Sequence, residues 1–357
     1  MTMDLFDNKG WRKAPTHAER VFEAAKFFGT GRTGGPIAQA EVAEAFSTSD
    51  FPILLGAAFT KKAVAAQKAA VDEFDPVLTH TTAPDFERHK LIDLWSGDEF
   101  EKVGQGEEYK GGTLNETELT HGTGKYGKSY GLTFELRLRR TFSDLANFPA
   151  LLGSGAVKAK NSAVAQLLVE AGAWDPAFFG TVDNVALTPE NLDAALKVLA
   201  LREDHRGDLV DTTNLVLMVG PALQSEANRI LNADKITMEV TVGSKVTKTE
   251  IANPFRGVVT LLVSRRLGKE LAANQGKAWA LVQGKGSTLP SIIDTGLDGH
   301  DGNVDIRVKR DQGESVSGGQ VPVEEGSFND DTIWYRGRNF FGIDKGFTTG
   351  VYASNGG

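Results

Sequence analysis

The chain has 357 residues, 40% hydrophobic and 24% charged, an ordinary balance for a globular protein long enough for a large core and about two domains. Its 39 Lys and Arg against 47 Asp and Glu leave a formal charge of −8, which argues against sequence-specific DNA binding, a function that shows a basic footprint. With no cysteine, disulfides, thiolate zinc sites, iron–sulfur clusters and cysteine nucleophiles are excluded. No apolar run approaches the ~18 residues of a membrane span, and MTMDLFDNKG lacks the apolar stretch of a secretory signal, so neither a membrane nor secretion is expected.

Glycine is abundant: 40 residues, about 11% against a usual value near 7%. Residues 1–50 read as an arm, with Val21, Phe22, Ala25 and Phe28 at helical spacing after Pro15 and a glycine break before a second short helix. Residues 53–74 read as an Ala-rich helix closed by Pro76, and 86–103 as a strand. The glycine-rich polar stretch 104–127 holds almost nothing large and apolar. Residues 129–140 then alternate, with Tyr130, Leu132, Phe134, Leu136 and Leu138 on one face, which predicts a half-buried strand. Outgoing strand, polar tip and returning strand predict a long hairpin. Its charge is asymmetric, with seven acids and two lysines over 98–120 and five basic residues and one acid over 121–140.

A long helix is predicted over 149–171, with Ser143 or Asn147 as cap and Pro149 in the first turn. Helix and strand then alternate through 302: a helix from Thr188-Pro189-Glu190, strands at Leu215–Val219, Val258–Ser264 and Trp279–Gln283, and a helix after Pro221. Charged alternation at Val304–Lys309, Thr332–Arg338 and Phe347–Tyr352 predicts closing strands.

Enzymatic motifs fail on context. Gly122–Ser129, GTGKYGKS, matches the phosphate-loop pattern, in which amides cradle phosphates, Lys128 reaches the terminal phosphates and Ser129 holds magnesium. That chemistry needs a helix immediately after the loop, and a period-two stretch follows instead. GTGRTG, Gly29–Gly34, follows a helix where a dinucleotide fingerprint needs a strand. The six histidines are scattered without metal-ligand spacing, and Asp294, Asp298, Asp301 and Asp305 read as a solvated acidic loop. No catalytic residue, metal or cofactor is expected.

Five blocks carry a family resemblance: EKVGQGEEYKGGTLNE (101–116), YGKSYGLTFELRLRRTFSDLANF (126–148), VLMVGPALQSEANRIL (216–231), NPFRGVVTLLVSRRL (253–267) and DTIWYRGRNFFGIDKGFTTGVY (331–352). Their order resembles that of the major capsid proteins of tailed bacteriophages with the Hong Kong 97-type fold, most closely Mu-like head subunits. The resemblance implies an α+β fold: an N-terminal arm (1–50), a first part of the P-domain (51–100), an E-loop hairpin (101–128), a P-domain strand and long spine helix (129–172), an inserted α/β A-domain (173–302) and P-domain return strands (303–357).

It further implies a structural protein whose hexamers and pentamers close an icosahedral head around double-stranded DNA, without sequence specificity, assembled in the host bacterial cytoplasm. Scaffold, portal and decoration proteins are the other partners it implies. The candidate contacts between subunits are Glu107, Glu108, Tyr109 and Lys110 on the acidic leg, Lys125, Lys128, Arg137 and Arg139 on the basic leg, and Trp334, Arg336 and Arg338 near the closing strands. Some relatives cross-link through a hairpin Lys, for which Lys110, Lys125 and Lys128 are counterparts, but no partner or catalytic Glu is identified and that activity is not carried over. An encapsulin-like nanocompartment shell of the same fold is the alternative within this class, and a nucleotide-binding enzyme using Gly122–Ser129 the alternative outside it.

Overall fold

The computed structural model describes residues 51–95, 102–109, 115–135, 142–242, 245–300, 302–321 and 325–357. The arm over 1–50, the dinucleotide-like GTGRTG, and Lys110, Arg137 and Arg139 lie outside the described residues.

The elements follow in chain order. Helix α1 is Phe51–Ala69, and strands β1, β2, β3 and β4 are Leu78–Ala83, His89–Trp95, Asn115–His121 and Gly124–Leu132. Helix α2 is Phe142–Leu168, followed by β5 (Val169–Glu170), β6 (Ala173–Trp174), helix α3 (Pro176–Phe179) and β7 (Val182–Asp183). Then come α4 (Pro189–Ala200), β8 (Leu215–Val219), α5 (Gln224–Asn232), β9 (Lys235–Val242), β10 (Lys245–Ala252), β11 (Val259–Val263) and α6 (Arg265–Leu271). Strands β12 to β16 are Trp279–Gln283, Ile292–Leu297, Asp305–Val308, Ile333–Lys345 and Tyr352–Ser354.

Contacts divide the described chain into two compact units, one of residues 51–70, 127–156 and 303–339, the other of 71–126, 157–302 and 340–357. In the first unit, β14 pairs antiparallel with the first part of β15, Arg307 opposite Arg336 and Asp305 opposite Arg338. Leu132 and Ile333 form a small apolar cluster with Val308 and Tyr335. Gly337 lies against Leu152 of α2, and Gly153 against the Ala63 carbonyl of α1, where a side chain would have no room. The Gln67 side chain accepts the Val304 N–H at 2.9 Å, tying α1 to the approach of β14.

The second unit is built on a five-stranded sheet of order β11-β8-β12-β16-β7. Leu215–Val219 is buried at every position because both faces are covered, as a near-continuous apolar run requires. Val216, Met218, Ala280 and Val282 face one apolar cluster with Leu168, Trp174, Phe178 and Leu271. Leu215, Leu217, Val219, Trp279 and Leu281 face another with Leu192, Leu199, Ala227 and Ile230 of α4 and α5. The Thr188 hydroxyl caps α4 by accepting the Asn191 N–H, with Pro189 in the first turn. In a further sheet β1 runs parallel to β13, which pairs antiparallel with Phe341–Lys345 of β15. β9 and β10 form a separate antiparallel ribbon.

Several expectations are corrected. The strand expected over 129–140 ends at Leu132, and Phe134 and Glu135 already have helical backbone. The returning leg of the hairpin is β3, which pairs with β2 from His89 opposite His121 to Trp95 opposite Asn115. The long helix starts seven residues ahead of Pro149, which sits inside α2 at the cost of one backbone bond; the side chains of its expected caps, Ser143 and Asn147, lie outside the described residues. Asp294 is not in a solvated loop: it is buried on β13. The segment expected to be strand over 347–352 contributes only β16, which joins the sheet of β8 and β12 rather than the sheet of β15.

Candidate inter-subunit surface

The β2–β3 hairpin has most of its apolar residues on β2, with Leu119 alone on β3, and is held by polar contacts. Arg88 pairs with Asp344 at 2.7 Å, and the Gly122 N–H donates to the other Asp344 oxygen at 3.0 Å. His121 is buried against the Thr295 hydroxyl at 3.1 Å, and its burial lowers the imidazole pKa. On β2, Asp93 takes Arg206 through both carboxylate oxygens at 2.8 Å and His205 at 2.8 Å. The Arg206 guanidinium, opposed by partial burial and helped by His205, holds the Asp93 carboxyl below its ordinary pKa. His205 in turn stacks flat on Phe347, with centroids 4.6 Å apart, and Leu119 of β3 packs on the cluster of Val210, Leu289 and Phe347. Between the Arg88 and Asp93 anchors, Leu91 and Ile92 are exposed.

The segment 102–109 continues this arm. Glu107 accepts the Gly104 N–H at 3.0 Å and donates its own N–H to the Gly104 carbonyl, closing a turn. Glu108 is exposed, and Tyr109 is 89% exposed. These three expected contact residues therefore lie together on one solvated segment.

Gly122–Ser129 is no phosphate loop. Gly124 onward is strand β4, so no helix N-terminus follows the glycines. Tyr126 stacks on Phe341 with centroids 4.0 Å apart, and the Lys128 ammonium lies 5.2 Å from the Tyr130 ring centre. Lys125 and Lys128 are both exposed.

In the first unit, Trp334, Arg336 and Arg338 alternate onto one face of β15. Opposite them on β14 stand Asp305 and Arg307, and the Lys309 N–H donates to the Trp334 carbonyl at 2.8 Å, extending the ladder by a rung. Asp305 accepts Arg338 Nε at 2.7 Å and Arg307 Nε at 3.1 Å. Burial opposes ionisation of Asp305, but the two arginines prevail and lower its pKa. Ser129, Arg307, Lys309, Trp334 and Arg336 line a groove of about 430 Å³. Arg307, Lys309 and Ser129 were missed in the sequence, although Asp305, Arg307 and Lys309 carry the same period-two signal as Trp334, Arg336 and Arg338.

The second unit holds a buried charge network that the sequence did not reveal. Lys160 of α2 bridges Asp294 at 2.7 Å and Asp72 at 2.9 Å. His80 Nδ1 meets Asp294 at 2.8 Å while its Nε2 faces Asp75 at 3.2 Å, and Lys285 also reaches Asp75. Burial works against the Asp294 carboxylate, yet the His80 hydrogen bond and the Lys160 charge hold its pKa down. His80 is raised, chiefly by Asp294, because both ring nitrogens donate only when the imidazole is charged. This network joins helix to sheet inside one unit.

The class of protein follows from comparison with a family model. A family model described as phage capsid protein matches residues 116–354. The chain belongs to the phage capsid protein family. It is a capsid protein of a bacteriophage, a structural component of the virion. Among solved structures, the chain is similar to the capsid of Cyanophage P-SCSP1u at 10% identity, covering 80% of this chain and 88% of that one with a TM-score of 0.48. It is also similar to a protein of Mycobacterium phage Patience (13% identity, 87% and 90% covered, TM-score 0.44) and to a virus-like particle from Pyrococcus furiosus (11% identity, 83% and 97% covered, TM-score 0.43). A search of curated proteins finds no match. The match to the phage family disfavours the nanocompartment alternative.

Proposed function

We propose that the subunit forms hexamers and pentamers that close the head around double-stranded DNA in the host bacterial cytoplasm, with scaffold, portal and decoration proteins as partners and no catalytic step of its own. Its organisation into arm, E-loop, spine helix, P-domain and A-domain belongs to the same reading. The arm formed by β2, β3 and the intervening residues carries the contact between neighbours. Its acidic residues Glu107 and Glu108, with Tyr109 and Lys110, meet the basic Lys125, Lys128, Arg137 and Arg139 of adjacent subunits. Such charge complementarity sets register and association rate more than affinity.

The observation that supports this is the solvation of 102–109 on a hairpin whose root is pinned by Asp93, Arg206 and Asp344. An arm held so firmly at one end and bare at the other has its partner on another chain. Electron microscopy of the purified chain, alone and with scaffold, tests the proposal. Rings of five and six and closed particles are expected, and a chain that stays monomeric in every condition refutes it.

A further inference from the structure

The basic face of the β14–β15 ribbon is unusual within an acidic chain. Four cations, Arg307, Lys309, Arg336 and Arg338, meet two carboxylates there, Asp305 between Arg307 and Arg338 and Asp311 on Lys309. Arg307 stands directly opposite Arg336, and like charges in that position destabilise a strand pair. Asp305 occupies only the Nε of Arg307, leaving the outer nitrogens of that guanidinium to the groove. Arg336 is exposed and makes no ion pair among the described residues.

The neighbouring strand keeps the groove open. Gly131 lies under Trp334, and Gly127 lies beside Arg338, so the residues of β4 that share this face are Gly127, Ser129 and Gly131. No long side chain fills the floor, and the Ser129 hydroxyl is the one side-chain donor on it. The glycines and serine of the phosphate-loop look-alike thus serve a strand floor rather than a nucleotide cradle. Two facing guanidinium groups and a hydroxyl around an open trough match the oxygens of a phosphate, which arginine binds in a forked geometry, while the Lys309 ammonium at its edge is held by Asp311 at 2.6 Å.

We propose that this groove is a sequence-independent contact for the phosphodiester backbone of double-stranded DNA, with Arg336 and Arg307 as its main ligands. The proposal rests on the reading of the chain as a DNA-enclosing shell and adds to it a specific site. Duplex backbone is favoured over a free anion because the cations extend over successive rungs of a ribbon. Strand rise places same-face residues about 6.6 Å apart, so a row of anions satisfies them better than one. The net charge of −8 works against the contact, so each subunit binds weakly and the shell adds up many weak contacts.

The test is duplex binding by the full chain as a function of salt. Two phosphates neutralised per subunit give a slope of about −1.8 in log affinity against log salt, or about a 12-fold loss from about 50 to about 200 mM. Arg336→Gln removes one contact, so the same salt step should cost only about 3.5-fold, equally for two unrelated duplex sequences. Arg307→Gln serves as the second variant, and thermal melting verifies that both fold. Unchanged affinity and slope in both variants overturn the proposal. So does displacement of the duplex by polyglutamate at equal charge together with loss of assembly in Arg336→Gln, which would give the groove to an acidic segment of a neighbouring protein. Failure of the wild-type chain to form particles, with the salt slopes as expected, refutes the shell reading and leaves the site standing.

Discussion

Replacing Lys160 with methionine isolates the buried charge network. Methionine keeps most of the stem volume but removes the ammonium that lies 2.7 Å from Asp294 and 2.9 Å from Asp72. The Asp294 side chain is 11% exposed, so water cannot replace the lost partner, while His80 still donates at 2.8 Å. Breaking a buried pair costs about 3–5 kcal/mol, and the surviving His80 contact places Lys160→Met at about 3 kcal/mol. At about 2.1 cal/mol/K per residue, a chain of 357 residues has an unfolding entropy of about 0.75 kcal/mol/K, so Tm should fall by about 4 °C. Calorimetry on unassembled subunits at neutral pH measures this. Adding Asp294→Asn, which removes the stranded charge, should recover part of the loss.

The pH dependence supplies an internal control. The folded pKa of Asp294 lies below the ordinary carboxyl value of 3.8, so its contribution is present above that value and lost as pH falls through the folded one. The gap between wild type and Lys160→Met should therefore narrow from about pH 5 toward about pH 3. A variant that melts within about 1 °C of wild type at neutral pH would show that the network contributes nothing net, as some buried ion pairs do.

His80→Asn should produce the opposite profile: the folded pKa is raised above 6.5, so the advantage of wild type is full below that value and fades as pH rises through the folded one, which urea unfolding at about pH 5.5 and 8.5 resolves. Replacing residues 98–112 with Asn-Gly should leave subunit stability within about 1 kcal/mol, since closing a longer loop costs little, while particle yield in electron micrographs should collapse; normal closed particles would remove the arm from assembly. Lys128→Ala should match wild type in lacking magnesium-dependent ATP binding by calorimetry, and micromolar binding lost in the variant would restore the phosphate-loop reading.

The elements legible in the sequence are those whose own residues decide them. Leu215–Val219 is apolar throughout and Trp279–Gln283 is apolar up to its last residue, and both are central strands, while Thr188-Pro189 begins α4 at its cap. β3 escaped notice because NETELTH offers Leu119 as its one aliphatic residue, and its pairing comes from β2 rather than from a buried face. The alternation after Leu132 reads as strand, yet the backbone turns helical at Phe134. Asp294 looked solvated because its partners, Lys160 and His80, lie 134 and 214 residues away in sequence. Of the candidate contacts, the solvation of Glu107, Glu108 and Tyr109 followed from composition. The groove beside Arg336 did not, because it requires knowing that β4, β14 and β15 are neighbours.

The position of β16 bears on how the chain acquires its structure during synthesis. It lies between β12 and β7, antiparallel to one and parallel to the other, with Ala353 opposite Val182. Tyr352 and Ser354 also bond Asp183 and Val185. About 170 residues separate the two halves of that pairing, so at ribosomal rates the β7 edge waits on the order of 10–30 s for its neighbour. The β2–β3 hairpin, by contrast, joins strands separated by only the 19 residues between Trp95 and Asn115, so both are available to pair within seconds of synthesis. The nascent chain thus holds both strands of the hairpin well before the sheet of the second unit can close, but Asp344, which pins the hairpin's root, emerges only shortly before Tyr352, so root and sheet are finished together.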